Sequence, residues 1–162
     1  MAIDSPFGGR PRPAPAHASL FLRDDALRRG SAGVIDAARL ILADMDAVLD
    51  AEGLNRSHRE VLALIAAEPG LGMGALQARL PLSKQNVHRL TATLLERELI
   101  RQEAGRDDRR RRLFYLTEAG EALDRRLFDA VRGRIKQAYR QAGPEAVNGF
   151  WLVIEALAAG GR

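Results

Sequence analysis

The chain has 162 residues, 46% apolar but only 5% aromatic, with a net charge of +4 and a pI near 10.3. That length fits one domain, or a small head carrying long oligomerisation helices, and the apolar fraction excludes global disorder. The absence of cysteine excludes disulfides, thiolate metal sites and thiol redox sensing; with no membrane-length apolar run and no signal-peptide core, a soluble cytoplasmic protein is expected.

Residues 1–19 hold four of the seven prolines together with Gly8, Gly9, Arg10 and Arg12. Proline at this density removes backbone donors and no hydrophobic period survives, so a flexible arm is expected. Residues 20–53 turn helical. Phe21, Leu22 and Leu27 start a short segment ahead of Gly30-Ser31. Beyond it Val34, Ala38, Ile41, Met45 and Val48 recur at helical spacing, beside Ile35, Leu42 and Leu49. A stripe this wide needs several neighbours, and Gly53 reads as its C-terminal cap.

Residues 54–118 read as a compact lobe. Asn55 or Ser57 caps a helix ending before Pro69-Gly70, and Gly72 to Leu80 gives a second. Ser83 caps a third over 83–97, with Val87, Leu90 and Leu94 inward. Two short helices joined by the Pro81-Leu82 turn make a helix-turn-helix. Leu99 to Gln102 and Leu113 to Leu116 are the only good strand candidates, linked by a segment with Gly105 and two aspartates. This is a two-stranded wing over 101–114. An isolated hairpin is marginal in water, so it must lean on the helices through Phe114 and Leu116. Residues 119–162 are helical again: Leu123, Leu127, Val131 and Ile135 form one stripe, Gly143-Pro144 is a stop and a start, and Val147, Phe150, Trp151, Ile154 and Leu157 form the closing helix. The fold class is therefore mainly α with a small β-hairpin wing: a winged helix-turn-helix between N- and C-terminal dimerisation helices.

Six arginines fall between Arg101 and Arg112 against three acids. A planar guanidinium suits phosphate and a narrow minor groove, so Arg109, Arg110 and Arg111 are the expected wing contacts. Asp108 is placed to brace an arginine before binding. On the third helix Ser83, Lys84, Gln85, Asn86, His88 and Arg89 share the polar face. Asn and Gln pair with adenine, Arg and Lys with guanine, and the helix start offers N–H groups to a phosphate. Double-stranded DNA is the partner these residues fit.

The order of elements and the wing resemble the MarR (multiple antibiotic resistance regulator) family of winged-helix transcription factors. The family's wing signature is Asp-x-Arg, five residues, then Leu-Thr, matched by Asp108, Arg110, Leu116 and Thr117, with Gly120 following. Arg89-Leu90 and Leu94-Leu95-Glu96-Arg97 extend the likeness, and in topology it covers roughly residues 20–160. Leu22-Arg23 and Leu27-Arg28-Arg29-Gly30 are similar to a PetP-like, alphaproteobacterial branch. One departure is Glu98, where the family usually has Gly; a left-handed cap is harder for Glu, so an altered helix end is expected. The resemblance implies a homodimer of interlocked first and last helices and a pseudo-palindromic operator. It also implies an effector cleft, where Arg39, His58 and Arg59 would meet a small anion. Independently, Leu20, Phe21, Leu22, Phe128, Tyr139, Phe150, Trp151, Ile154 and Leu157 are more apolar surface than a small head covers.

His17, His58 and His88 have no zinc spacing, and no nucleophile elbow or P-loop is present. Neither enzyme activity, cofactor nor metal is expected. An RNA-binding winged helix and a winged-helix protein-interaction module are the two alternatives. The former lacks an aromatic stacking platform on the head; the latter would bind DNA without sequence preference.

Overall fold

The computed structural model describes residues 22–105 and 111–159. Six helices and three strands follow one another: α1 (Asp24–Ala51), α2 (Arg56–Ala67), β1 (Leu71–Gly72), α3 (Met73–Arg79), α4 (Lys84–Glu96), β2 (Ile100–Ala104), β3 (Arg112–Leu116), α5 (Glu118–Ala142) and α6 (Pro144–Ala159). The chain divides into two units between Leu40 and Ile41.

In the first unit, α1 runs without a break through Gly30 and Gly33, so the expected interruption at Gly30-Ser31 does not occur. Two glycines cost a helix about 1 kcal/mol each, which 28 residues of continuous hydrogen bonding absorb. Val34, Ile35 and Leu40 remain roughly half exposed.

The second unit holds the core. Leu49, Val61, Leu62, Ile65, Leu76, Val87, Leu90, Leu94, Ile100 and Phe114 are almost completely buried, with Leu123 and Leu127 of α5 joining them. Aliphatic side chains fill it, as the low aromatic content requires; among the described residues Phe114 is its one fully buried ring. Only Leu49 of α1 is fully within the core, flanked by Met45 and Val48.

The helix ends are built by local rules. Ser83 accepts a hydrogen bond from the Asn86 N–H (3.3 Å) at the start of α4, and Thr117 accepts from the Gly120 N–H (3.1 Å) at the start of α5. Asn55, not Ser57, caps α2: its Oδ1 accepts from the His58 N–H, and His58 Nδ1 accepts from the Asn55 N–H at 3.2 Å. This is a capping box with histidine in the place usually held by Glu or Gln. α1 closes with the Gly53 N–H bonded to the Asp50 carbonyl and the Leu54 N–H to that of Leu49, the paired pattern that needs a left-handed residue; Gly53 supplies it at φ 59°. α4 closes identically, Glu98 N–H to Leu95 and Leu99 N–H to Leu94. There Glu98 itself takes φ 56°. The helix end is thus unaltered, and the side chain is tolerated in a conformation that costs an L-residue about 1 kcal/mol or more.

The sheet has three strands in the order β1-β3-β2, all antiparallel. The hairpin pairs Ile100 with Leu116 and Gln102 with Phe114, while Leu71 of β1 lies opposite Phe114 on the other side. The expected two-stranded wing therefore gains a two-residue strand that places its central strand between two partners. Leu116 is partly buried against the core beside the fully buried Phe114: both expected anchors hold the wing.

Candidate nucleic-acid interface

Packing decides which side of α4 is free. Val87, Leu90, Thr91 and Leu94 face inward, and Thr91 satisfies its buried hydroxyl by donating to the Val87 and His88 carbonyls (3.0 and 2.9 Å). A hydroxyl bonded within its own helix needs no outside partner. On the other side Ser83, Lys84, Gln85, Asn86, His88 and Arg89 are all exposed. The six expected contact residues form one continuous polar surface starting at the helix N-terminus, where free N–H groups and the helix dipole favour an anion.

On the wing, Arg111 and Arg112 are exposed at the start of β3, and the Gly105 N–H to Arg111 carbonyl bond (2.9 Å) carries the hairpin ladder to them. Asp108, Arg109 and Arg110 lie outside the described residues. Arg112, which the sequence reading left out of the contact set, shares this exposed end. Arg101 does not belong to it. Its guanidinium carbon lies 4.7 Å above the centre of the Tyr115 ring, and it forms an ion pair with Glu103. Stacking and pairing hold that cation at the base of the sheet. The arginine run of the sequence is thus divided by strand register into a base and a tip.

The three residues expected to meet an effector have different settings. Arg39 is exposed on α1 and pairs with Asp36 at 3.3 Å. His58 is only 6% exposed. Burial, then the nearby charges of Arg89 and Arg97, push its imidazole below the usual histidine range, and Nε2 has no partner among the described residues. Arg59 is half-buried, with an Nε that likewise has none. Both sit in the first turn of α2.

Three arginines to which the sequence reading assigned no contact link α1, α4 and α5. Arg97, the C-cap of α4, donates through Nη1 to the carbonyl of Glu52, which directly follows α1. The Glu52 carboxylate accepts from Arg126 of α5 at 2.5 Å. Further along α5, Arg134 grips Asp44 of α1 with two hydrogen bonds (2.6 and 2.9 Å), which holds the Asp44 carboxyl below the usual carboxylate range. Among the described residues no group of acids and histidines is suited to a metal ion, and no helix is long and apolar enough to cross a membrane.

This geometry agrees with what is known of related proteins. A model of the MarR family matches residues 52–111, from the end of α1 to the wing. The HTH-type transcriptional regulator PetP of Rhodobacter capsulatus is 41% identical over 138 residues, 85% of this chain and 83% of that protein. A MarR family regulator from Silicibacter pomeroyi superposes with a TM-score of 0.68 at 21% identity, covering 91% of this chain and 97% of the other. A substituted MepR from S. aureus, bound to an oligodeoxyribonucleotide, superposes at 0.58 with 16% identity, covering 82% and 97%. The chain belongs to the MarR family of winged-helix transcriptional regulators.

Proposed function

We propose that the protein is a homodimeric, sequence-specific DNA-binding regulator in the cytoplasm, acting on a pseudo-palindromic operator. The observation that carries this reading is the exposed face of α4, six polar residues on a helix whose opposite side is sealed into the core. That face enters a major groove, with half-sites about one helical turn (~10 bp) apart. Gln85 and Asn86 read bases, Lys84 and Arg89 read bases or hold phosphates, and the first turn meets the backbone. The wing, with Arg109, Arg110 and Arg111, lies at the flanking minor groove, and Asp108 braces an arginine there. The oligonucleotide held by MepR supports duplex DNA as the ligand.

Dimerisation rests on apolar surface that one chain leaves open. None of α6 is buried; Phe150, Trp151, Leu152, Val153 and Leu157 are 46–68% exposed. In α1, Val34, Ile35 and Leu40 are 44–54% exposed. Patches of this kind mark interaction sites on soluble proteins, and a second copy supplies matching ones. On this reading residues 20–53 and 119–162 serve dimerisation, 54–118 is the DNA-binding lobe, and 1–19 is an arm. A small anionic effector is part of the proposal, with Arg39, His58 and Arg59 as the groups offered to it.

Binding should weaken steeply with salt, since phosphate contacts release counterions. Arg110→Ala should cost about tenfold to a hundredfold in affinity, the loss of a charge-assisted contact, while the dimer persists in light scattering. Gln85→Ala or Asn86→Ala should relax sequence preference more than it lowers non-specific binding. Equal losses on all sequences would make α4 a phosphate clamp, and a preference for structured RNA over duplex DNA would refute the reading.

A further inference from the structure

Two helix ends in the second unit are closed by the same paired hydrogen-bond pattern, and one side chain joins them. Glu52 directly follows α1 and Arg97 directly follows α4, each one residue before a left-handed residue, Gly53 and Glu98. Arg97 reaches across 45 positions to donate to the Glu52 carbonyl, an acceptor the helix end leaves open. A Cβ at position 53 would lie 3.1 Å from Arg97 Nη2, so Gly53 both turns the chain and makes room for the guanidinium. Arg126 of α5 holds the carboxylate of the same residue at 2.5 Å. Glu52 is therefore held at once by Arg97, at the end of the proposed recognition helix, and by Arg126 of α5. The pairs are partly exposed, with side-chain accessibilities of 54% for Arg126 and 35% for Glu52, so their contribution to folding is small. Their value is angular. α4 and α5 each pack on α2, and the two hydrogen bonds to Glu52 add a second link between them that resists rocking.

We propose that Glu52, Arg97 and Arg126 form a positioning clasp that sets the angle of α4 against α5, and through it the half-site spacing the dimer accepts. This rests on the proposed dimeric DNA-binding reading. One inserted base pair moves a half-site by about 3.4 Å and 34°, so a head held rigidly rejects it and a head free to rock tolerates it. None of the three residues needs to touch DNA.

The experiment uses the full chain and a duplex obtained by in vitro selection with the unsubstituted protein. That duplex is then re-made with one base pair inserted or removed between the half-sites, and as a single half-site. Glu52→Gln and Arg126→Ala should keep half-site affinity within about twofold while the penalty for the re-spaced duplexes falls about threefold or more, a coupling typical of neighbouring residues. Arg126→Lys, which keeps the charge, should restore most of the discrimination. A merely structural role would lower affinity for all three duplexes alike, and that result overturns the clasp, as does an unchanged spacing penalty. Selection of no paired half-sites by the unsubstituted protein would instead refute the dimeric operator reading itself, and the clasp with it.

Discussion

Among the described glycines, Gly120 leaves the least room for a side chain. It is buried in the first turn of α5, and a Cβ built on it would stand 2.0 Å from the Leu99 carbonyl oxygen and 3.1 Å from its carbon. Both are backbone atoms, so no side chain can swing aside. Reaching even a very close 3.0 Å contact requires α5 to withdraw by about 1 Å. The same carbonyl accepts from the Thr117 N–H (3.1 Å) and the Thr117 hydroxyl (3.2 Å), bonds that a withdrawal of that size breaks. Overpacking costs about 1–3 kcal/mol, and each lost hydrogen bond about 0.5–1.5 kcal/mol. Gly120→Ala should therefore destabilise the protein by about 2–6 kcal/mol. At roughly 2–4 °C per kcal/mol for a chain of this size, the Tm should fall by about 4–24 °C. Urea unfolding and calorimetry at fixed protomer concentration would measure it, since an oligomer's stability depends on concentration. Gly74→Ala is the control: nothing lies within 4 Å of its added methyl, so stability should hold or rise by up to about 1 kcal/mol. A Gly120→Ala protein within about 0.5 kcal/mol of the unsubstituted one would show that α5 does not rest on Leu99 as described, since only a substitution clear of such contacts stays in that range.

Glu98→Gly should stabilise the fold by about 1 kcal/mol by relieving the left-handed conformation at φ 56°, visible as a higher urea midpoint; a lower midpoint would contradict that geometry. Phe114→Ala should cost about 3–5 kcal/mol, because the ring is fully buried in the core and sits on the central strand of the sheet, and amide exchange should show the wing opening first. For His58, the folded-state value is depressed by burial and by Arg89 and Arg97, so the folded state favours the neutral ring. Its contribution to stability is complete above the unfolded value of about 6.5 and declines as pH falls from there through the folded value. Protonation also removes the Nδ1 acceptor of the capping box. Denaturation series across the window in which histidine titrates, roughly pH 5 to 8, should show a shallower acid loss for His58→Gln, and parallel curves would refute the assignment.

Local chemistry by itself determined much of this protein. The spacing of Val87, Leu90 and Leu94 turns Lys84, Gln85, Asn86, His88 and Arg89 outward, and Ser83 starts the helix, because burial and capping act over three or four residues. Gly53, Gly143 and Thr117 mark their helix ends for the same reason. The alternation around Phe114 and Leu116 showed which face of the wing is anchored. What only the tertiary structure decided depends on residues distant in the chain. β1 is two residues long, too short for any period, and exists because the Gly70 N–H meets the Phe114 carbonyl. Arg101 leaves the arginine cluster because strand register puts it over Tyr115. Gly120 is required by the carbonyl of Leu99, and Arg97 finds Glu52 across 45 residues. A sequence reports the preferences of neighbours, whereas pairings closed across long loops become visible only when the core has brought their partners together.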